Sequence, residues 1–115
     1  MRWYDSLRRQ AEIAYVRRRG RRAATGTFAA YAADLTSKRP RVAVTVAKTV
    51  GKAVVRNRIR RRVRGALDAL GPQLPAQTGL LVIARPQAAL ATYPQIAADV
   101  AQAVADLGRP APRAR

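Results

Sequence analysis

Hydrophobic positions along this chain repeat with two different periods, and each change of period marks an element. Leu7, Ala11 and Ala14, with Ile13 and Val16, recur at helical spacing, which predicts a helix over 7–19 with Gly20 as its C-cap. From Arg22 the pattern changes. In T-F-A-A-Y-A-A-D-L (27–35), Phe28 and Tyr31 fall on opposite faces of an extended chain. A strand there rests on Phe, Tyr and Thr, because alanine is a poor strand former. Ser37-Lys38-Arg39-Pro40 reads as a turn. Arg41 to Ala47 then alternates, with Val42, Val44 and Val46 on one face and Arg41, Ala43 and Thr45 on the other, as a strand requires.

Helical spacing returns after Lys48-Thr49-Val50-Gly51. Val55, Ile59, Val63, Ala66/Leu67 and Leu70 make one apolar stripe, predicting a long helix from about Lys52 to Leu70, stopped by Gly71-Pro72. Leu80 to Ala84 is an apolar run short enough for a buried strand, closed by Arg85 and Pro86. Tyr93 or Pro94 opens a last helix striped by Ile96, Val100, Ala103/Val104 and Leu107, with Gly108 as its cap. The tail Arg109-Pro110-Ala111-Pro112 reads as frayed. There is no repeat, and the reading is one domain over 1–115 with a modest core. That core is built from Ala, Val, Leu and Ile, since hydrophobic content is 49% but aromatic content only 5%.

Charge changes the picture of the long helix. The formal net charge is +17, from 23 basic and 6 acidic residues, and self-repulsion on that scale points to a polyanionic partner. All the cations except Lys38, Lys48 and Lys52 are Arg, the side chain that bridges phosphates bidentately and stacks on bases. Gly51 to Leu67 holds seven of them and no acid. Asn57, Arg61, Arg64 and Asp68 fall opposite the apolar stripe, Arg58 and Arg62 on one flank and Arg60 on the other; Arg56 lies near the core edge. A merely solvated face would mix signs. Here Arg56/Arg60, Arg58/Arg62 and Arg60/Arg64 are like-charged pairs at i,i+4, which repel unless something external neutralises them. A membrane-surface helix would carry bulky Trp, Phe or Leu; this stripe is mostly Val, Ile and Ala, sized for a sheet. Charge alone leaves DNA and RNA open, because phosphate contacts carry no sequence information. The arginines Arg17, Arg18 and Arg19 also suit the negative end of the first helix, a reading that needs no ligand.

Candidate chemistry is sparse. The chain has no cysteine and no histidine, which excludes disulfides, Cys/His metal sites and the usual general base near neutral pH. Gly51-Lys52 follows a strand, but Ala53 stands where a phosphate loop needs Ser or Thr and the earlier glycine is missing. Ser6 and Ser37 have no histidine to activate them. The six acids are scattered. No apolar run approaches the roughly 20 residues of a membrane span, and the N-terminus lacks a secretory apolar region. Asp5 and Glu12 argue against a transit peptide, so the expected setting is the cytoplasm. The residues describe a binding protein.

The segment K-A-V-V-R-N-R-I-R-R-R-V-R (52–64) closely resembles the "RNR" signature of the bacterial ribonuclease P protein component. Leu7-Arg8-Arg9, Gly20, Phe28, Tyr31, R-V-A-V-T-V-A-K-T-V-G (41–51), L-V-I-A-R (81–85) and Tyr93 follow in that family's order, so the resemblance covers roughly Leu7 to Leu107. It implies an α+β fold: a small α/β sandwich with a four-stranded mixed sheet, helices against it and a left-handed β-α-β crossover. It also implies a subunit of a ribonucleoprotein endonuclease whose catalytic RNA, with Mg²⁺ bound mainly by that RNA, removes the 5′ leader of precursor tRNA. The protein would be monomeric, one per RNA, with no catalytic residue of its own. The resemblance sets Lys52, Arg56, Asn57, Arg58, Arg60, Arg61 and Arg64 against the RNA subunit, and Tyr31, Ile13, Arg17 and Lys48 in a cleft for the leader. In many family members the first helix offers phenylalanines to that cleft. The matching positions here are Ile13 and Arg17, and an arginine there can stack by its guanidinium plane or pair with phosphate. Arg85, which matches the family's I-A-R arginine, is expected to serve packing or sheet-edge support rather than direct contact, and Arg8 and Arg9 to add electrostatic reach. The competing reading is a general basic RNA-binding or ribosomal-type protein with no part in cleavage.

Overall fold

The computed structural model describes residues 2–108; the tail expectation for Arg109–Pro112 lies outside the described residues. The element order is β1 (Asp5–Ser6), α1 (Gln10–Arg19), β2 (Arg21–Ala24), β3 (Phe28–Asp34), β4 (Arg41–Thr45), α2 (Ala53–Leu70), β5 (Thr78–Ala84) and α3 (Tyr93–Gly108). Short 3₁₀ turns at Lys48–Val50 and Pro86–Ala89 precede α2 and α3. The strands form one mixed sheet in the order β1-β4-β5-β3-β2. β3 runs antiparallel to β2 and β5, while β4 is parallel to β5 and β1. Joining β4 to β5 through α2 makes the expected β-α-β crossover.

The strand count is a correction. Five strands form where four were expected, because the chain before α1 pairs with the sheet: Asp5 lies opposite Arg41 and Ser6 opposite Val42. The same pairing shortens the first helix. Leu7 has helical spacing to Ala11 and Ala14, yet its N–H donates to the Val42 carbonyl at 2.8 Å and its side chain is buried against the sheet. The helix therefore starts at Gln10, with no side-chain cap from Arg9. β2 was not anticipated either: R-R-A-A shows no alternation, and it is a strand because it pairs with β3 along its whole length.

Each face of the sheet has its own core. On one side Phe28, Val42, Val44, Leu80 and Val82 pack against Ile59, Val63 and Leu67 of α2 and Ile96, Val100 and Val104 of α3. The stripe predicted for α2 is the face that does this. On the other side only α1 covers the sheet, in a smaller cluster of Leu7, Val16, Ala43 and Leu81 flanked by Ile13, Tyr31, Ala33, Leu35 and Ile83. Phe28 and Tyr31 thus stand on opposite faces, Phe28 buried and Tyr31 half-buried.

Two glycines are dictated by geometry. Gly71 ends α2 at φ 73°, the left-handed conformation that favours glycine. Gly20 ends α1 in an extended conformation (φ −75°, ψ 156°), and its N–H reaches the Val16 carbonyl. A side chain at Gly20 would place Cβ 2.3 Å from that carbonyl oxygen and 3.0 Å from the Ala32 carbonyl oxygen, so this glycine permits close approach to β3.

Candidate nucleic-acid interface

The face of α2 opposite the core is built by periodicity alone. With Ile59, Val63 and Leu67 anchored, Asn57 and Arg61 are turned fully outward and Arg60 and Arg64 lie half-exposed beside them. Arg60 donates to the Asn57 side-chain carbonyl at 3.1 Å, an i,i+3 contact that orders two signature residues without cancelling charge. No acid stands in the first turn, and Lys52 at the N-cap provides no side-chain acceptor. The positive end of the helix dipole therefore coincides with Lys48, Lys52 and Arg56. At the other end Asp68 is engaged by Arg2 at 3.4 Å, an exposed pair of small energetic weight.

The flank carrying Arg58 and Arg62 behaves differently. Arg62 donates to the Ala91 carbonyl at 3.1 Å and Arg58 to the Ala89 carbonyl at 3.4 Å. These two arginines tie α2 to the segment that leads into α3. The Nε atoms of Arg56 and Arg58 are buried and unpartnered, so the stems of both side chains lie against protein with polar atoms left over.

The second group assembles under α1. Two guanidiniums approach the Tyr31 ring, with the central carbons of Arg17 (α1) and Arg22 (β2) each 6.0 Å from its centroid. Arg22 Nε also donates to the Tyr31 hydroxyl at 3.2 Å, because Arg22 and Tyr31 are direct cross-strand partners. Ile13 packs on the same small cluster as Tyr31, so three of the four expected cleft residues come together. Lys48 does not join them. Its turn packs against α2 and the Pro86–Ala89 turn, which places it with Lys52 on the helix side. Arg22 was missed by sequence reasoning, and no periodic signal could have found it.

Between these groups the uncovered part of the α1 face forms an open concavity of about 530 Å³ lined by Arg8, Gln10, Ile13, Thr45 and Arg64. Arg41 holds α1 beside it through a 3.3 Å ion pair with Glu12. Arg85 extends the pairing of β5 with β3 by donating its backbone N–H to the Thr27 carbonyl. Among the described residues no cluster of three or more acid side chains could hold a metal ion, and no helix is long and apolar enough to cross a membrane.

The family profile described as Ribonuclease P matches residues 1–108. The chain belongs to the ribonuclease P protein family. Its fold agrees with solved members. A Staphylococcus aureus RNase P protein mutant with defective mRNA degradation activity superposes with a TM-score of 0.79 at 23% identity, over 89% of this chain and 85% of that one. The Thermotoga maritima RNase P protein gives 0.78 at 17% identity, covering 89% of this chain and 96% of that one. No curated protein sequence matches. At these identities the solved ribonuclease P proteins speak for the α+β fold, and the roles of individual residues rest on the geometry above.

Proposed function

We propose that this ribonuclease P protein subunit binds a catalytic RNA through α2 and the 5′ leader of precursor tRNA through the α1 face of the sheet. On this reading it promotes endonucleolytic removal of the leader. The observation that carries the reading is the pairing of two unlike surfaces on one small sheet: a helix whose cations from Arg56 to Arg64 have no acid between them, and a tyrosine approached by two arginines. The first suits a regular array of phosphates. The second suits an unstacked base on a sugar–phosphate strand. Lys52, Arg56, Asn57, Arg60, Arg61 and Arg64 are the contact set on the first surface, joined by Lys48. Arg58 serves there chiefly by holding the 86–92 segment against the helix.

Among the described residues no cluster of acid side chains could hold a resident Mg²⁺, and in this proposal the ion belongs to the RNA subunit, where it would supply the hydrolytic chemistry. What the protein contributes is charge: neutralising phosphates should lower the magnesium needed for activity and make assembly steeply salt-dependent. The test is reconstitution with a bacterial ribonuclease P RNA at low Mg²⁺. Cleavage at the mature 5′ end that needs both components supports the proposal. Binding to cognate RNA without any stimulation of cleavage would sink it in favour of a general RNA-binding role.

A further inference from the structure

The concavity beside α1 does not end at Gln10. A second one, of about 540 Å³, adjoins it along the N-terminal strand and is lined by Arg2, Tyr4, Asp5, Ser6, Arg8 and Arg39. The two share Arg2, Ser6 and Arg8, so they form one groove running from Ile13 to Arg39. Arg2, Arg8, Arg39 and Arg64 give it four cations. Its one acid, Asp5, is already engaged by Arg39 at 3.1 Å. Arg39 and Arg2 are partly committed, Arg39 to Asp5 and the Arg2 carbonyl, Arg2 to Asp68. Arg8 is exposed and makes no side-chain hydrogen bond or ion pair among the described residues.

The wall of the groove is also polar. β1 covers β4 only at Arg41 and Val42, leaving Ala43–Thr45 with β5 on one side and the groove on the other. Among the described residues no strand pairs with the outward edge of that stretch. The aromatic residue in the wall, Tyr4, is 4% exposed and offers no stacking platform. A groove with cations, backbone polar groups and no exposed ring recognises a sugar–phosphate chain and is indifferent to its bases.

We propose that this groove along β1 holds the upstream part of the single-stranded leader, with Arg8 as its principal phosphate contact. The proposal rests on the leader-binding reading of the α1 face, because the groove is continuous with that face at Ile13. It adds a second, sequence-independent leader site beyond Tyr31, and of its residues Arg2, Arg8 and Arg39 belong neither to the signature helix nor to the tyrosine site.

The experiment uses the reconstituted holoenzyme and precursor tRNAs carrying either a minimal or an extended oligouridine leader, with affinity measured across a salt series. With the extended leader, Arg8→Gln should weaken binding several-fold and reduce the slope of log affinity against log salt by about 0.7, the value for one phosphate contact on a single strand. With the minimal leader it should change neither, and Arg8→Lys should restore the slope. Thermal melts of the variants check that the fold is intact. Equal losses on both leaders, or a loss in assembly with the RNA subunit instead, would overturn the groove assignment. Tyr31→Ala separates the two ideas. If it leaves both leaders unaffected, the leader-binding reading itself fails; if it weakens both while Arg8→Gln weakens neither, only the groove proposal fails.

Discussion

Single side chains carry the most direct tests. Tyr31→Ala should lower affinity for precursor tRNA by roughly 1–3 kcal/mol, the range for losing one base–aromatic stack, and leave assembly with the RNA subunit intact. Arg61→Ala should do the reverse, since Arg61 is fully outward on α2 and remote from the tyrosine site. Affinity measured separately for the RNA subunit and the substrate distinguishes them; variants that weakened every RNA alike would refute two surfaces. Tyr4 gives a pH test of the fold. Burial, with Asp68 adding to it, pushes its phenol up from 10.0 to about 12. The folded state keeps that proton after the unfolded chain has lost it. The associated stability is therefore fully present below pH 10 and is lost as pH rises towards about 12. Denaturant midpoints across that window should fall in the native chain and fall less in Tyr4→Phe. At this scale the sequence is only partly readable. Tyr31 and Phe28 separate to opposite faces by alternation, as anticipated. The Arg22–Tyr31 contact depends on a cross-strand register that no local pattern encodes, and Arg58 and Arg62 find carbonyls some thirty residues away in sequence.

Among the elements, α2 and β4 were legible because each states its period clearly: a five-position stripe with a glycine stop, and three alternating valines. β1 and β2 were not. Two residues cannot display a period, and two arginines beside two alanines display none; both are strands because a neighbour supplies the pairing. β1 does more than lengthen the sheet. Trp3 donates its indole N–H to the Leu67 carbonyl at 2.8 Å, and the Tyr4 hydroxyl reaches the Arg64 carbonyl at 3.4 Å. Leu67 is among the last four residues of α2, whose carbonyls lack an intrahelical donor. The N-terminal strand thus satisfies the end of the proposed RNA-binding helix while pairing with the sheet beneath it. Trp3→Phe, which keeps an aromatic ring and removes the donor, should cost about 0.5–1.5 kcal/mol in denaturant unfolding. It should leave the phosphate contacts proposed for α2 in place, so RNA-subunit affinity under conditions where the variant is fully folded should hold.

For the molecule as a whole, net charge is the dominant quantity. At +17 on 115 residues, compaction works against self-repulsion that no internal arrangement relieves. Sulfate or phosphate should therefore raise the melting temperature, by mass action on the folded state as well as by screening. At a hundredfold excess over the dissociation constant of one site, the gain is about 2.7 kcal/mol. Calorimetry with and without anion, at fixed ionic strength, checks this; an unchanged midpoint would count against an anion-binding folded state. The sheet gives the same charge a different consequence. One of its outer strands, β2, is four residues long and displays Arg21 and Arg22, while β4 on the other side is shielded for only two positions. Exposed strand edges invite pairing with another copy, and like charge on the edge is what discourages it. Conditions that neutralise those arginines without occupying the surfaces, such as concentrated salt or a polyanion in sub-stoichiometric amount, should favour edge-to-edge self-association. The shelf life of the purified protein would then depend on the very charge proposed to recruit an RNA.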